Sequence, residues 1–412
     1  MTLVVSPAHA AQPFWDVEAD CLVVGGEKVT DLAARVGRTP FYAYDRAAIT
    51  QRIQQLRQAL PSSVALHYAI KANPMQAVIE HIAPLVDGLD VASGGELQRA
   101  VKAGVAPLHI SFAGPGKSAS ELEQAADAGI VVNIESEREL GILACSAARL
   151  DRRLPVAIRV NPDFELKTSG MKMSGGPKQF GIDAERVPEV LRALRQLPLD
   201  FVGFHVFSGS QNLRAEAIID AQRKALALVR ELSAHAPAPP RSINIGGGFG
   251  IPYFPGEQPL DLAQVGAAMH ELAAEARQAF PSGQLVVELG RFIVGEAGIY
   301  VCRVIDRKIS RGHPFLVTDG GLHHHLAASG NFGQVLRKNY PVVIGNRVRG
   351  GEREVASVVG PLCTPLDLLA DRMDLARAEP GDLVVVMQSG AYGLTASPLG
   401  FLSHPEPAEI LV

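Results

Sequence analysis

Cysteine is scarce in this sequence, and its spacing argues against cross-links. Four cysteines occur in 412 residues, and no two of them form a Cys-x-x-Cys pair; they are Cys21, Cys145, Cys302 and Cys363. Such spacing supports neither a disulfide framework nor a zinc site. We therefore expect a protein of a reducing compartment.

Long apolar runs and one-sided charge are also missing. No run of about 18 apolar residues exists, so we expect no membrane helix. The opening MTLVVSPAHAAQ contains Ala-x-Ala but lacks the basic segment and the longer apolar run of a signal peptide. The net charge is only -4 and no basic stripe occurs, which indicates neither nucleic acid nor an anionic membrane as a partner. We expect a cytoplasmic protein that acts on small molecules.

Alternating strand and helix signals fill the chain between about residues 45 and 290. Hydrophobic residues make up 47% of the sequence, enough for a large core in one or two domains. Asp45 is a candidate helix cap, and apolar residues follow it at helical spacing, at Ile49, Ile53, Leu56 and Leu60. Eight later runs predict strands, namely VALHYAI, GLDVAS, LHISF, IVVNI, PVAIRV, FVGFHVF, SINI and LVVE.

This alternation predicts parallel strands joined by helical crossovers. Eight such units that close on themselves form a (β/α)8 TIM barrel, and an open doubly wound sheet is the competing architecture. The barrel is favoured because polar residues follow many of the strands, where a barrel gathers its functional loops. After about residue 292 the sequence becomes β-rich. We expect an N-terminal segment, 1–40, that contributes to a β-domain, a barrel over 41–291, and a C-terminal β-domain over 292–412.

One lysine stands at the end of a predicted buried strand. HYAIKANP places Lys71 directly before an Asn-Pro break, and most lysines at such positions simply point into water. Polar groups follow other strands too. NIGGGFG places Gly246, Gly247 and Gly248 after a strand, and FSGSQN supplies Ser210, so these loops could hold a phosphate or could only relieve tight bends.

Charged and nucleophilic residues complete the set. VVELGR places Glu288 at a strand end with Arg291 three residues later, either as a solvated pair or as partners of a charged ligand. Cys363 lies in the Pro-flanked segment GPLCTPLD, outside any periodic element, and is either a core thiol or a reactive one. His323, His324 and His325 are consecutive and cannot all bind one metal from a strand, so we predict no metal site there.

Seven motifs occur in the order found in fold-type III pyridoxal-phosphate decarboxylases: HYAIKANP, DVASGGEL, NIGGGFG, ELGR, GPLC in a Cys-x-x-x-Asp setting, GAYG and FLSHPEPAEILV. From about residue 40 onward the sequence thus resembles the ornithine, arginine and diaminopimelate decarboxylases. The resemblance implies an alanine-racemase-like TIM barrel with a C-terminal β-sandwich or β-barrel domain. It also implies pyridoxal 5'-phosphate as the cofactor and α-decarboxylation of an amino acid as the reaction.

The resemblance assigns a role to each matching residue. Lys71 would form the Schiff base, aided by desolvation that favours its neutral amine, and Glu288 would keep the pyridine nitrogen protonated. The phosphate would be held by Ser210, Gly246, Gly247, Gly248, Arg291 and Tyr392. Asp90, Arg159, His205 and Phe207 would lie near the cofactor. Cys363 would reprotonate the product, and because the family supplies this residue from the partner subunit, a homodimer with a shared active site is implied.

Two departures from the family matter: the first concerns the cofactor and the second the substrate. Phe207 stands where a histidine usually stacks on the cofactor, and a phenyl ring stacks without donating a hydrogen bond. The Arg-Pro-x-Leu-Tyr segment that follows DGG in diaminopimelate decarboxylases is missing, and His404 replaces a terminal arginine. These changes favour a different amino acid or derivative, including an aminoacyl thioester on a carrier protein. A racemase on the same fold and a non-catalytic, decarboxylase-like regulatory binder are the alternatives.

Overall fold

The computed structural model describes residues 8–165 and 171–412. The chain divides into two compact units. The first, here called the barrel unit, comprises residues 52–250 and 260–290. The second, the β-rich unit, comprises residues up to 51 together with 251–259 and 291–412. Within the described ranges, no helix is long and apolar enough to cross a membrane.

Eight parallel strands close on themselves in the barrel unit. In chain order, β1 to β8 are Val64–Ala69, Gly88–Val91, Ile110–Phe112, Val131–Ile134, Leu154–Asn161, Leu199–Val206, Ser242–Gly247 and Gln284–Leu289. Each strand pairs with the next one, and β8 pairs with β1 through contacts such as Val286 opposite Ala65. The eight strands expected from the sequence are these eight, so the predicted barrel is confirmed.

Helices separate the strands, and several of them begin at a capping side chain. They are Arg46–Ala59, Gln76–Ile82, Gly94–Lys102, Ala119–Ala128, Glu137–Arg149, Val187–Leu194, Ala215–Ser233 and Leu262–Ala279. The side chain of Ser118 accepts a hydrogen bond from the Glu121 amide, and Glu121 bonds back to the Ser118 amide. Asp45 caps its helix as expected, since Oδ1 accepts from the amides of Ala47 (2.7 Å) and Ala48 (3.0 Å).

Polar side chains occur on all eight barrel strands, in an architecture whose interior is usually filled by branched apolar residues. They are His67, Asp90, Ser111, Asn133, Arg159, His205, Asn244 and Glu288. Several bond to one another; Asn133 Nδ2, for example, donates to Ser111 Oγ at 2.6 Å. Because buried polar groups need partners, this interior suits ligand chemistry better than it suits packing.

The β-rich unit is built around one long strand, Gly298–Ser310. Its first half pairs with Phe41–Tyr44 and Leu383–Val386, and its second half pairs with His313–Thr318. The remaining strands of this sheet are Val342–Ile344, Arg353–Val359, Leu368–Ala376 and Ala408–Leu411. A separate small sheet contains Asp16–Glu18, Cys21–Val24 and Glu27–Lys28. The β-rich character expected after residue 292 is confirmed.

Candidate active site

Lys71 lies just beyond the carboxyl end of β1, in a short helical turn formed by Ile70–Ala72. Its neighbours in that turn are buried, whereas its own side chain is 41% exposed. The desolvation expected from the sequence is therefore incomplete. Lys71 Nζ lies 3.9 Å from Glu288 Oε1 and 5.5 Å from the centre of the Phe207 ring. The lysine thus faces a carboxylate and an aromatic ring, in contrast to a purely solvated strand end.

Glu288 is a buried anion at the carboxyl end of β8. Its Oε2 lies 3.1 Å from His205 Nε2, although the two atoms are not aligned as a hydrogen bond. Burial acts to raise the pKa of Glu288, but the contact with His205 and the charge of Lys71 outweigh it and lower the pKa to about 2. Glu288 is therefore charged at neutral pH and suited to hold a protonated nitrogen.

Asp90, at the end of β2, forms a second acidic position. His67 Nδ1 lies 3.2 Å from Asp90 Oδ1. The other oxygen, Oδ2, is buried and has no hydrogen-bond partner among the described residues. Sequence reasoning missed His67, although its position in strand β1, four residues before Lys71, gave a signal, since alternation directs it to the same face as Ala65 and Ala69.

Arg159 on β5 belongs to a buried charged network that sequence reasoning also missed. Its Nη1 donates to Glu135 Oε1 at 2.8 Å, and Glu135 Oε2 accepts from the Gly181 amide at 3.0 Å. Lys117 Nζ lies 3.0 Å from Glu139 and 3.8 Å from Glu135. Burial acts to raise the pKa of Glu135, yet Arg159 and Lys117 lower it overall. The network fixes Arg159 in the barrel.

The last two residues of β7 and the residue after it can only be glycine. Gly246 and Gly248 have φ angles of 71° and 76°, in the left-handed region that favours glycine. A Cβ on Gly247 would lie 2.3 Å from the carbonyl oxygen of Glu288. Ser210, half-buried, follows the neighbouring strand β6, and the amide of Asn212 donates to the carbonyl of Gly248 at 2.9 Å. The two loops expected to hold a phosphate therefore touch.

The β-rich unit holds the remaining predicted residues. Arg291 Nη1 donates to the hydroxyl of Tyr253 at 2.9 Å, and the guanidinium lies 4.6 Å from the centre of the Tyr392 ring. Tyr392 itself has a φ of 53°. The structure therefore brings together Arg291 and Tyr392, as it does Lys71 and Glu288 in the barrel unit.

Cys363 is exposed, on a loop secured by Asp367. The carboxylate of Asp367 accepts from the amides of Leu322 (2.6 Å) and Leu362 (2.8 Å). A Cβ on Gly321 or Gly360 would lie 2.1 or 2.3 Å from this carboxylate. Asp367 thus joins the GPLC loop to the DGG loop, and the role of the Cys363 thiol stays a prediction from the resemblance.

The consecutive histidines are buried. His325 Nδ1 accepts from the Ala328 amide at 3.2 Å, and its Nε2 lies 2.9 Å from Ser389 Oγ. Burial lowers the pKa of His325 to about 3. The rings of His323 and His324 are in contact, with centres 3.7 Å apart and planes tilted by 43°. Among the residues that the structure describes, no group of His, Cys, Asp and Glu side chains is arranged to hold a metal ion.

Comparisons with known proteins agree with this geometry. Residues 46–295 match the pyridoxal binding domain of the pyridoxal-dependent decarboxylases. The chain is 40% identical over 390 residues to an L-glutamyl-[BtrI acyl-carrier protein] decarboxylase of Niallia circulans, covering 93% of this chain and 91% of the relative. It is 32% identical to a diaminopimelate decarboxylase of Aquifex aeolicus, covering 97% and 92%.

Solved structures give the same result. The diaminopimelate decarboxylase of M. jannaschii in complex with L-lysine superposes with a TM-score of 0.88 at 26% identity, covering 97% of this chain and 93% of that one. The residues present fit pyridoxal phosphate, since buried carboxylate oxygens of Glu288 and Asp90 lack hydrogen-bond partners within the described ranges and Gly247 has no room for a side chain. The family match covers more than half of the sequence, and the chain belongs to the pyridoxal-dependent decarboxylases.

Proposed function

We propose that this decarboxylase removes the free α-carboxylate from an amino acid that a carrier protein holds as a thioester through its side-chain carboxyl group. The observation that carries the proposal is the 40% identity, over 93% of the chain, to a decarboxylase named for a glutamyl carrier-protein substrate. Diaminopimelate decarboxylases are also relatives, at 32% identity. Whether the substrate is free or attached to a carrier protein therefore depends on which residues contact the end of the substrate that is far from its α-carbon.

The region after DGG supports a carried substrate. Free diaminopimelate has an ammonium and a carboxylate at its distal end, and both need charged or hydrogen-bonding partners. A thioester has no charge. In place of an Arg-Pro-x-Leu-Tyr segment, this chain has NFGQVLRK at residues 331–338, in which the side chains of Val335 and Leu336 are 98% and 78% exposed. The single arginine there, Arg337, donates to the carbonyl of Leu368 at 2.6 Å.

The barrel residues would hold the cofactor in a defined orientation. When bound, pyridoxal phosphate supplies a ring that accepts the electrons left behind by departing carbon dioxide. Lys71 would anchor its aldehyde and Glu288 its ring nitrogen, while Phe207 would cover the ring. Ser210 and Gly246, Gly247 and Gly248 would bind the phosphate.

The charges of this chain support the assigned roles. Because the pKa of Glu288 is lowered to about 2, its carboxylate stays ionised at neutral pH. An ionised carboxylate stabilises the protonated form of a ring nitrogen that donates a hydrogen bond to it. Arg159 and Asp90 would flank the cofactor, with His205 holding Glu288. The Cys363 thiol would deliver a proton to the carbon that has lost its carboxylate.

A homodimer with shared sites follows from placing Cys363 in its partner's active site. Two inactive variants, Lys71→Ala and Cys363→Ala, test this arrangement. In a mixed C2 dimer one site keeps both residues, so random re-assortment should restore roughly a quarter of the wild-type activity. No recovery after mixing would contradict the shared site.

The substrate is tested by measuring carbon dioxide release. Free diaminopimelate, free glutamate and carrier protein loaded with glutamate through its side-chain carboxyl group are compared, with Lys71→Ala as the blank. We expect turnover of the loaded carrier protein at least about a hundredfold above either free amino acid, because lost contacts worth about 1–3 kcal/mol change kcat/KM by roughly 10–200-fold. Equal turnover of free diaminopimelate would refute the carried substrate. Racemisation without carbon dioxide, or binding without turnover, would favour the racemase or the regulatory binder.

A further inference from the structure

A cavity of about 670 Å³ enters the barrel from the amino ends of its strands. Residues at the starts of strands line its mouth, among them Gly88, Val131, Ser242 and Gln284. Polar side chains line its deeper part, namely His67, Ser111, Asn133 and Asn244. Such a volume has room for roughly 20 water molecules. We call this space the basal cavity; it lies at the end of the strands opposite to Lys71.

His67 connects the basal cavity with Asp90. Its side chain lines the cavity and is 16% exposed, while Nδ1 lies 3.2 Å from Asp90 Oδ1. Gly88 pairs with His67 in the sheet, and a Cβ there would lie 2.5 Å from His67 Nε2. Asp90 lies two residues further along β2, toward the carboxyl end. The imidazole therefore spans from water on one side to the carboxylate on the other.

The second oxygen of Asp90 is left for a ligand. Asp90 is 6% exposed, and Oδ2 has no hydrogen-bond partner in the described part of the chain. A buried carboxylate oxygen without a partner is uncommon and costly in free energy. Because His67 fixes Oδ1, the orientation of Oδ2 is set before a ligand arrives.

We propose that His67 is a positioning residue for the cofactor site: it fixes Asp90 through Oδ1, presents Oδ2 to bound pyridoxal phosphate, and exchanges protons with water in the basal cavity. This inference rests on the proposed place of Asp90 beside the cofactor. It predicts that cofactor affinity depends on the protonation of His67, which is reached by water from the end of the barrel opposite to the substrate.

The charges around His67 favour its protonated form. Asp90 faces it from β2, Asp87 from the residue before β2, and Glu288 from β8. His109, beyond Gly88, bonds the carbonyl of Asp87 at 2.7 Å. Burial acts to lower the pKa of His67, but Asp90 outweighs it, so the pKa lies above the usual 6.5. The charged pair is therefore complete below that pKa and is lost as pH rises through it.

Two substitutions separate the charge from the hydrogen bond. His67→Asn places an amide nitrogen near the position of Nδ1 and keeps a neutral donor, whereas His67→Phe removes the donor. His109→Asn is the matched control, because it changes another histidine of the basal cavity that does not touch Asp90. Thermal unfolding of each cofactor-free protein checks that the variants fold.

Three measurements decide the proposal. Histidine NMR titration of the cofactor-free protein gives the pKa of His67, cofactor Kd is measured against pH, and kcat and KM are measured with the best substrate. Wild-type Kd should rise about tenfold as pH passes through the His67 titration, as for the loss of a charged hydrogen bond. His67→Phe should bind the cofactor about tenfold more weakly at low pH and show no such rise. His109→Asn should behave as wild type.

Other results would overturn the proposal. The proposal is wrong if the cofactor Kd of the wild type does not change across the pH range in which His67 titrates by NMR. It is also wrong if the cofactor Kd of His67→Asn keeps the full pH dependence of the wild type. If His67→Phe fails to fold, the Asn variant still decides. The proposed substrate is tested separately, because cofactor binding that follows His67 with no turnover of any substrate refutes only the proposed function.

Discussion

Replacing Glu288 by glutamine tests the electrostatics of the barrel site. Burial acts to raise the pKa of this carboxyl, but His205 and Lys71 hold it at about 2 instead of 4.5. A shift of this size corresponds to about 3 kcal/mol of folding stability at pH 7. Because the folded-state pKa is depressed, that stability is present above pH 4.5 and is lost as pH falls toward 2.

The assay is urea unfolding of the cofactor-free protein against pH. Between pH 4.5 and 3.5 the wild type should lose about 1 kcal/mol that Glu288→Gln does not lose. At pH 7 the variant should be less stable by up to about 3 kcal/mol. With cofactor and substrate, kcat should fall about 10-fold to 100-fold, since the ring nitrogen loses a charged partner worth about 1.5–3 kcal/mol.

Glu271→Gln is the matched control. Glu271 lies on the helix Leu262–Ala279, is exposed, and pairs with Arg223 at 2.8 Å. Surface pairs of this kind contribute little, so neither stability nor kcat should change. If Glu288→Gln matches this control in its acid dependence and keeps kcat within about twofold of wild type, the buried anion of Glu288 neither stabilises the fold nor supports the reaction.

Three further predictions follow from single positions. Gly247→Ala should weaken cofactor binding at least tenfold, measured by absorbance titration, because its Cβ would meet the Glu288 carbonyl at 2.3 Å; unchanged affinity would exclude a tight loop. Burial lowers the pKa of His325 to about 3, so the free energy of unfolding should fall by about 2 kcal/mol as pH drops from 6.5 to 5. His325→Gln should remove this pH dependence from the unfolding curves. In a Cys145→Ser background, Asp367→Asn should change the alkylation rate of Cys363 severalfold, because the loop loses its anchor; an unchanged rate would mean that Asp367 does not position the thiol.

The sequence predicts much of the fold because most strands are mainly apolar runs between polar loops. Val64–Ala69 of the barrel unit and Leu383–Val386 of the β-rich unit are examples of such runs. Leu368–Ala376 was not predicted, since Asp371, Arg372 and Asp374 interrupt its apolar pattern and Arg372 adopts a φ of 46°. Local sequence could not show that this strand pairs along Arg353–Val359 with its charged side chains outward.

Some residues of the candidate site could be singled out from the sequence and others could not. Lys71 and Glu288 were singled out because each stands at the end of a predicted strand and lies in a motif that resembles the decarboxylase family, and their roles stay predictions. The network of Lys117, Glu135 and Glu139 could not be found from the sequence, because its members lie on separate loops and helices. Each of them is a charged residue of a type that is usually exposed to solvent. Their burial depends on contacts between segments about 20 residues apart.

The strand Phe41–Tyr44 pairs in parallel with Ala408–Leu411 and antiparallel with the start of Gly298–Ser310. During synthesis on the ribosome, this early strand must therefore wait, with one edge unpaired, until residue 411 has emerged. The barrel strands, which end at Leu289, can close long before that moment. Removing the last five residues would leave an exposed strand edge, and we expect such a truncated chain to aggregate while its barrel still folds.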